Sequence, residues 1–289
     1  MSGARSYRGN RWTELWADGA YSLIRCIAPP VDLHAIARLQ HVKQIKLQLM
    51  VQLGALVPVH KGFNIYIRHP EARDLDVELP EPAKLLSPRQ RFTLAHEIAH
   101  TLFYKGFDGV PVPNTKLKEC GTRKQLGLEQ ICDRVAKRLL VPKALLSGEI
   151  DRRLRDIERI DADFVRTVAA KFRASYEVML GRLRVAAPGN GYARCILLVR
   201  KIEDEYRVVE SYIGRSLLSA FSPFDQQQHL PLLSWLPALP PSILEARGRE
   251  QYKVMRGGRV LLVQKLPLRR DGDFLMQIDD LACKAPSSK

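Results

Sequence analysis

Cysteine is scarce and irregularly placed: Cys26, Cys120, Cys132, Cys195 and Cys283 form an odd set with no Cys-x-x-Cys pair. That excludes a disulfide framework and fits free thiols, small buried hydrophobes in a reducing compartment. Long apolar runs are missing too. None approaches the roughly 18 residues that a membrane span needs, and the arginine-rich stretch 1–16 lacks the apolar core of a secretory signal, so a cytoplasmic protein with no membrane partner is expected. Aromatics make up only 7% of the 289 residues, but 46% are apolar and 27% charged, which excludes extended disorder and a collagen-like chain. The length accommodates two or three small domains. Runs of like charge are absent as well. The formal charge is +15, yet residues 1–90, 91–150, 151–188 and 189–289 carry excesses of +4, +4, +3 and +4. A basic nucleic-acid arm would concentrate that charge, and only short pairs such as Arg152-Arg153 and Arg269-Arg270 occur.

Along the chain, residues 1–28 read as a loosely ordered extension. Pro29-Pro30 follows, and Asp32 is placed to cap a helix through Ile36, Ala37 and Leu39. Ile45 to Val51, Gly54 to Val59 and Phe63 to Arg68 are rich in β-branched and apolar residues, and are expected to form a short antiparallel sheet. The proline- and acid-rich stretch 70–88 reads as a loop that ends in Ser87-Pro88-Arg89-Gln90. Ser87 can cap a helix, Pro88 fits its first position, and Gln90 completes a capping box. The helix so opened is expected to run from Arg89 to about Tyr104, and a second from about Leu128 to Leu140, before Pro142. Phe164 to Phe172 and Tyr176 to Arg184 form a helix pair, with Ser175 as a cap. Residues 185–191 read as a linker, and beyond it lie strand-like runs at 193–202, 206–213, 259–266 and 274–278 on either side of a proline-rich middle. The expected division is an extension at 1–28, domains at 29–150, 151–187 and 188–283, and a tail at 284–289.

Within the first long helix, His96-Glu97-Ile98-Ala99-His100 places two histidines four residues apart, about 6 Å along one helical face. Both reach one ion. Neutral imidazoles suit Zn²⁺, and Glu97 stands where it can take a proton from an attacking water. A catalytic ion needs a third protein ligand. Glu129 is the candidate on the next helix, with Asp133 four residues on to orient a ligand histidine; Glu119, Cys120 and Cys132 are the rival ligands. Tyr104 is a candidate oxyanion donor.

Two blocks carry a resemblance. Arg89-Gln90-Arg91-Phe92-Thr93-Leu94-Ala95-His96-Glu97-Ile98-Ala99-His100 and the stretch from Glu129-Gln130-Ile131-Cys132-Asp133 to Leu140-Val141-Pro142 together resemble the ImmA/IrrE family of zinc metallopeptidases. Cys132, Asp133 and Val135 depart from the alanine, asparagine and phenylalanine usual there. The resemblance implies a gluzincin-like α+β domain, one catalytic zinc ion and Glu129 as its third ligand. It also implies regulatory cleavage of a helix-turn-helix repressor that controls a stress or mobile-element response. The segment 164–184 is similar to the helix-turn-helix-like element after the family's peptidase core, and in some relatives a GAF-type sensor domain follows, which the α+β pattern of 188–283 allows. The second helix of that segment offers Arg182 and Arg184 but few other side chains suited to base edges, which favours packing or substrate docking over direct DNA binding. Substrate is expected as an added strand on a sheet edge within 56–68. From another class, the alternative is a DNA-binding or stress-sensing regulator with a structural or vestigial zinc site.

Overall fold

The computed structural model describes residues 15–25, 28–69, 77–78, 86–114, 125–157, 160–187, 194–203, 205–213, 244, 249–256, 259–268 and 273–280. The expectations for the proline-rich middle, the tail, and Cys26, Cys120 and Cys283 fall outside them, as does most of the linker expected at 185–191; its first residues, 185–186, are instead the end of a helix. The chain divides into two compact units, one of Met1–Leu145 with Lys171–Ser175, the other of Leu146–Ala170 with Tyr176–Lys289.

In the first unit, β1 (Val42–Gln48), β2 (Gly54–Val59), β3 (Gly62–Arg68) and β4 (Val77–Glu78) form a sheet in the order β2-β3-β1-β4. The sheet is mixed, not antiparallel as expected. β2 and β3 pair antiparallel through the tight turn at His60-Lys61, and β3 then inserts between β2 and β1, where it must run parallel to β1. Its apolar side chains explain the central place, because Phe63, Ile65 and Ile67 are fully buried. An added strand therefore has no access to β3, which narrows the expected docking stretch to β2, an edge of the sheet.

The histidine-bearing helix spans Pro88–His100 and begins where the sequence places it. Gln90 N–H donates to Ser87 Oγ at 3.3 Å, while Ser87 N–H donates to Gln90 Oε1 at 3.0 Å. Its end comes earlier than expected. Thr101 donates its hydroxyl to Ile98 O at 2.6 Å, a 3-10 turn covers Thr101–Phe103, and Tyr104 already lies in a short strand, β5 (Tyr104–Lys105), paired with β6 (Val112–Pro113). The facing helix is Gln125–Leu140. Residues 15–24 are helical and not loosely ordered: Ala17 and Ala20 are buried, and the Tyr21 hydroxyl reaches the carbonyls of Arg138 and Leu139 at the end of the facing helix.

Helices at Ala162–Phe172 and Tyr176–Ala186, which fall in the second unit except for Lys171 and Phe172, match the expected pair, with Arg173, itself counted in the first unit, in the left-handed region at φ 52° between them. A helix at Lys143–Ile157 was not expected. Five antiparallel strands follow: β7 (Arg194–Ile202), β8 (Glu205–Ile213), β9 (Glu250–Arg256), β10 (Arg259–Pro267) and β11 (Phe274–Asp280), in the order β8-β7-β11-β10-β9. Cys195, Leu197, Val199, Val263, Met276 and Ile278 form its core. The helix Tyr176–Ala186 packs on β8, where Gly181 lies against the Glu210 carboxylate and Tyr212 donates to Ala187 O at 3.3 Å. The α+β class holds for the described residues as a whole.

Candidate metal centre

The site grows from two helices laid face to face. Leu94, Ala95, Ile98 and Ala99 of the first, and Cys132, Val135, Ala136 and Leu139 of the second, are all fully buried, and this packing aims His96 and His100 at Glu129 and Asp133. Arg91 anchors the first helix from behind, its buried guanidinium donating to Val31 O at 2.9 Å. Burial, followed by the neighbouring Arg173 charge, pushes the Arg91 pKa down to about 10. Arg173 in turn donates to Leu86 O at 2.9 Å, just ahead of the cap.

Three donor atoms converge. His96 Nε2 lies 3.0 Å from His100 Nε2 and 3.0 Å from Glu129 Oε2, and His100 Nε2 lies 3.6 Å from that same oxygen. A tetrahedral ion about 2.0–2.1 Å from each ligand spaces neighbouring ligands by roughly 3.3 Å, so the triangle fits one small divalent cation. On the far side of its ring, His96 Nδ1 lies 2.9 Å from Asp133 Oδ1. That contact places the proton on Nδ1 and leaves the Nε2 lone pair facing the triangle. Cys132 stands beneath. His96, His100 and Cys132 also have ligand atoms within 4.8 Å of one another, so the thiol is a second geometric candidate for the third position. It is fully buried, and burial together with Glu129, Glu97 and Asp133 holds its pKa far above the ordinary thiol range. A protonated thiol is a poor ligand, whereas Glu129 offers a carboxylate oxygen at ligand spacing and, being half exposed, leaves a side of the site open to solvent.

Glu97 is 8% exposed, and burial, with a smaller push from Glu129 and against the pull of His96, raises its pKa to about 7. A carboxyl poised there can both take and return a proton near neutral pH. Burial alone lowers the His96 pKa, but the hydrogen bond and charge of Asp133, with Glu97 and Glu129, outweigh it and raise the value. For His100, burial and the neighbouring His96 prevail and the pKa falls.

The structure thus brings together His96, Glu97, His100, Glu129, Asp133 and Cys132. It places Tyr104 elsewhere in the contact pattern: its ring meets Phe63 edge-on at 5.1 Å, and it takes no part in the hydrogen bonds that join the histidines to the carboxylates. Glu119 and Cys120 lie outside the described residues. One neighbour was missed from sequence. Gly54, at the start of β2, abuts Glu97, since a Cβ there would lie 2.5 Å from Thr93 Cγ2 and 2.7 Å from Glu97 Oε1. A glycine at the head of an apolar strand is the signal for such a close approach.

Residues 83–184 match the Peptidase M78 model, described as the IrrE N-terminal-like domain. No curated protein matches the chain. Among solved structures the chain is similar to a "Mycobacterium tuberculosis transcriptional regulator", with a TM-score of 0.51 and 12% identity over 95% of this chain and 78% of that one. At that identity the likeness is one of fold. Both helices of the candidate centre fall inside the matched segment, and it is this segment of the chain that is similar to the IrrE N-terminal-like peptidase domain.

Proposed function

We propose that the chain is a zinc-dependent endopeptidase that cleaves a helix-turn-helix repressor, and so relieves repression of a stress or mobile-element response. One observation carries the chemistry: His96 Nε2, His100 Nε2 and Glu129 Oε2 form a triangle with sides of 3.0–3.6 Å beside a buried carboxyl, Glu97. Zinc, when bound by these three residues, supplies Lewis acidity that polarises a peptide carbonyl and acidifies water. Glu97 takes the proton of the attacking water and returns it to the leaving amine, a double role that its raised pKa suits. Asp133 fixes the His96 ring in the ligating tautomer. β2, an edge of the sheet among the described residues and bearing Gly54 against Glu97, is the place where a substrate strand adds to the sheet.

The paired helices support packing rather than base reading. Arg182 is 3% exposed, and Arg184, though exposed, faces the Glu210 carboxylate at 3.7 Å, so the second helix offers a DNA groove at most one arginine. The fold shared with a protein described as a transcriptional regulator is in keeping with a role in gene control.

The decisive experiment pairs metal analysis with cleavage. Zinc-loaded protein is expected to cleave a co-encoded helix-turn-helix repressor, and Glu97→Gln to keep about one zinc per chain while losing at least about 10³-fold in rate. Cleavage that survives Glu97→Gln sinks the mechanism, and a folded chain that binds no zinc sinks the centre.

A further inference from the structure

One turn before Glu97 on the same helix, Thr93 forms one wall of a groove of about 450 Å³ whose other sides include Leu53, Arg68, Arg89 and Gln90. The groove borders the centre directly. Thr93 and Glu97 both pack against Gly54, and Leu53 is the residue just before it, at the head of the edge strand β2. Thr93 and Glu97 are separated by about 6 Å of helical rise, which corresponds to about two residues of an extended peptide running along β2.

Its chemistry is cationic. Arg68 and Arg89 are exposed, and neither has a carboxylate partner among the described residues; the Arg68 guanidinium makes one long contact, 3.4 Å to Val51 O. Arg89 also sits in the first turn of its helix, which holds no acidic residue, so its charge faces the positive end of the helix dipole without relief. The frame beneath the two guanidiniums is fixed. Arg68 N–H donates to Leu53 O at 2.9 Å, and Gln90 Nε2 donates to Arg68 O at 3.3 Å while its Oε1 is held in the capping box. Two guanidiniums with no carboxylate partner among the described residues, on a fixed frame, form a receptor for a carboxylate, which each can grip through two parallel hydrogen bonds.

We propose that this groove is a specificity pocket for an aspartate or glutamate side chain of the substrate peptide, about two residues from the scissile bond, gripped by Arg68 and Arg89. The proposal rests on the peptidase reading for its meaning, but binding tests it apart from turnover. Full-length Glu97→Gln protein, zinc-loaded and immobilised, is panned against phage-displayed random dodecapeptides. Recovered peptides should share an Asp or Glu at one fixed position, enriched at least tenfold over the starting library. The enrichment should vanish when Arg68→Gln and Arg89→Gln are added, and persist with Arg155→Gln, a substitution of an exposed arginine elsewhere. Overturning outcomes are no enrichment of acid at any position, recovery of no peptides at all, or enrichment that the double substitution leaves intact. Incubating the recovered peptides with zinc-loaded wild type separates the two ideas. Acid-selected peptides that bind and are never cut overturn the peptidase reading while the pocket stands; cleavage indifferent to the acid overturns the pocket while the peptidase stands.

Discussion

The choice between Glu129 and Cys132 turns on the donor atom each side chain offers. Glu129 is half exposed, and its Oε2 lies 3.0 and 3.6 Å from the two imidazole nitrogens, so a cation meets a carboxylate oxygen at the right spacing. Cys132 is fully buried with its thiol held protonated, and it occupies a place that packing alone would fill with a small residue. Glu129→Ala is therefore expected to weaken zinc binding at least tenfold, while Cys132→Ala leaves stoichiometry and cleavage within about twofold, as titration against a chromophoric chelator measures. Zinc lost from Cys132→Ala and retained by Glu129→Ala would reverse the assignment. Gly54 gives a second, sharper test. An added methyl would sit 2.7 Å from Glu97 Oε1 and 2.5 Å from Thr93 Cγ2, so the carboxyl, the lighter obstacle, must move. A displacement near 1 Å at a proton-transferring group costs on the order of 10²-fold in rate. Gly54→Ala is expected to lower kcat by about that factor with zinc content unchanged; full kcat would show that Glu97 has room that the packing denies it.

Which elements could be read from the sequence follows from how local their causes are. The start of the histidine-bearing helix was legible to the residue, because Ser87, Pro88 and Gln90 act through bonds spanning three positions. The two histidines and Glu97 share that helix, so their juxtaposition needs only its pitch. Glu129 and Asp133 lie 29 and 33 positions beyond His100, and only the motif spacing and the likeness to a known family pointed to them. Strand direction was not legible. β1 and β3 are joined through β2, and nothing local announces that β3 returns into the middle of the sheet. The helix at 15–24 escaped because the residues it buries most are Ala17 and Ala20, too small to mark a hydrophobic stripe, and β9 because Glu-Gln-Tyr-Lys alternates weakly on an edge. The capping box can be weighed directly. Ser87→Ala removes one acceptor and one half of a reciprocal pair, and is expected to destabilise the chain by about 1 kcal/mol in urea unfolding with no change in zinc stoichiometry. A change under about 0.3 kcal/mol would mean that the first turn is held by Arg91 and Arg173 instead.

At the scale of the whole chain, the boundary that matters is the one a truncation would use. The sequence suggests cutting between the paired helices and the C-terminal strands, at 188. The contacts argue otherwise, because the second unit counts Tyr176–Lys289 together, with Val178, Met179, Leu180 and Leu183 buried in the helix that packs on β8. Arg182, also buried, lies on that helix. Ending the chain at Ala187 would bare these four apolar side chains, each worth about 1.5–3 kcal/mol when buried, and leave a buried arginine to be resolvated. Such a loss is comparable to the whole stability of an ordinary domain. The truncated chain 1–187 is expected to aggregate or to elute as large species in size-exclusion chromatography, and to lose the cooperative unfolding of the full chain. The histidine-bearing helix need not share that fate, since its core lies in the first unit among Leu94, Ile98, Val135 and Leu139. Ending the chain at Leu145 is then the informative comparison. It removes the second unit whole, and with it the first unit's Lys171–Ser175, including Arg173, whose bond to Leu86 O steadies the start of that helix. Zinc binding by 1–145, weakened yet measurable, alongside aggregation of 1–187, would place the fault in the severed second unit; a monomeric, cooperatively folding 1–187 would show that the C-terminal strands only rest on a helix pair that stands without them.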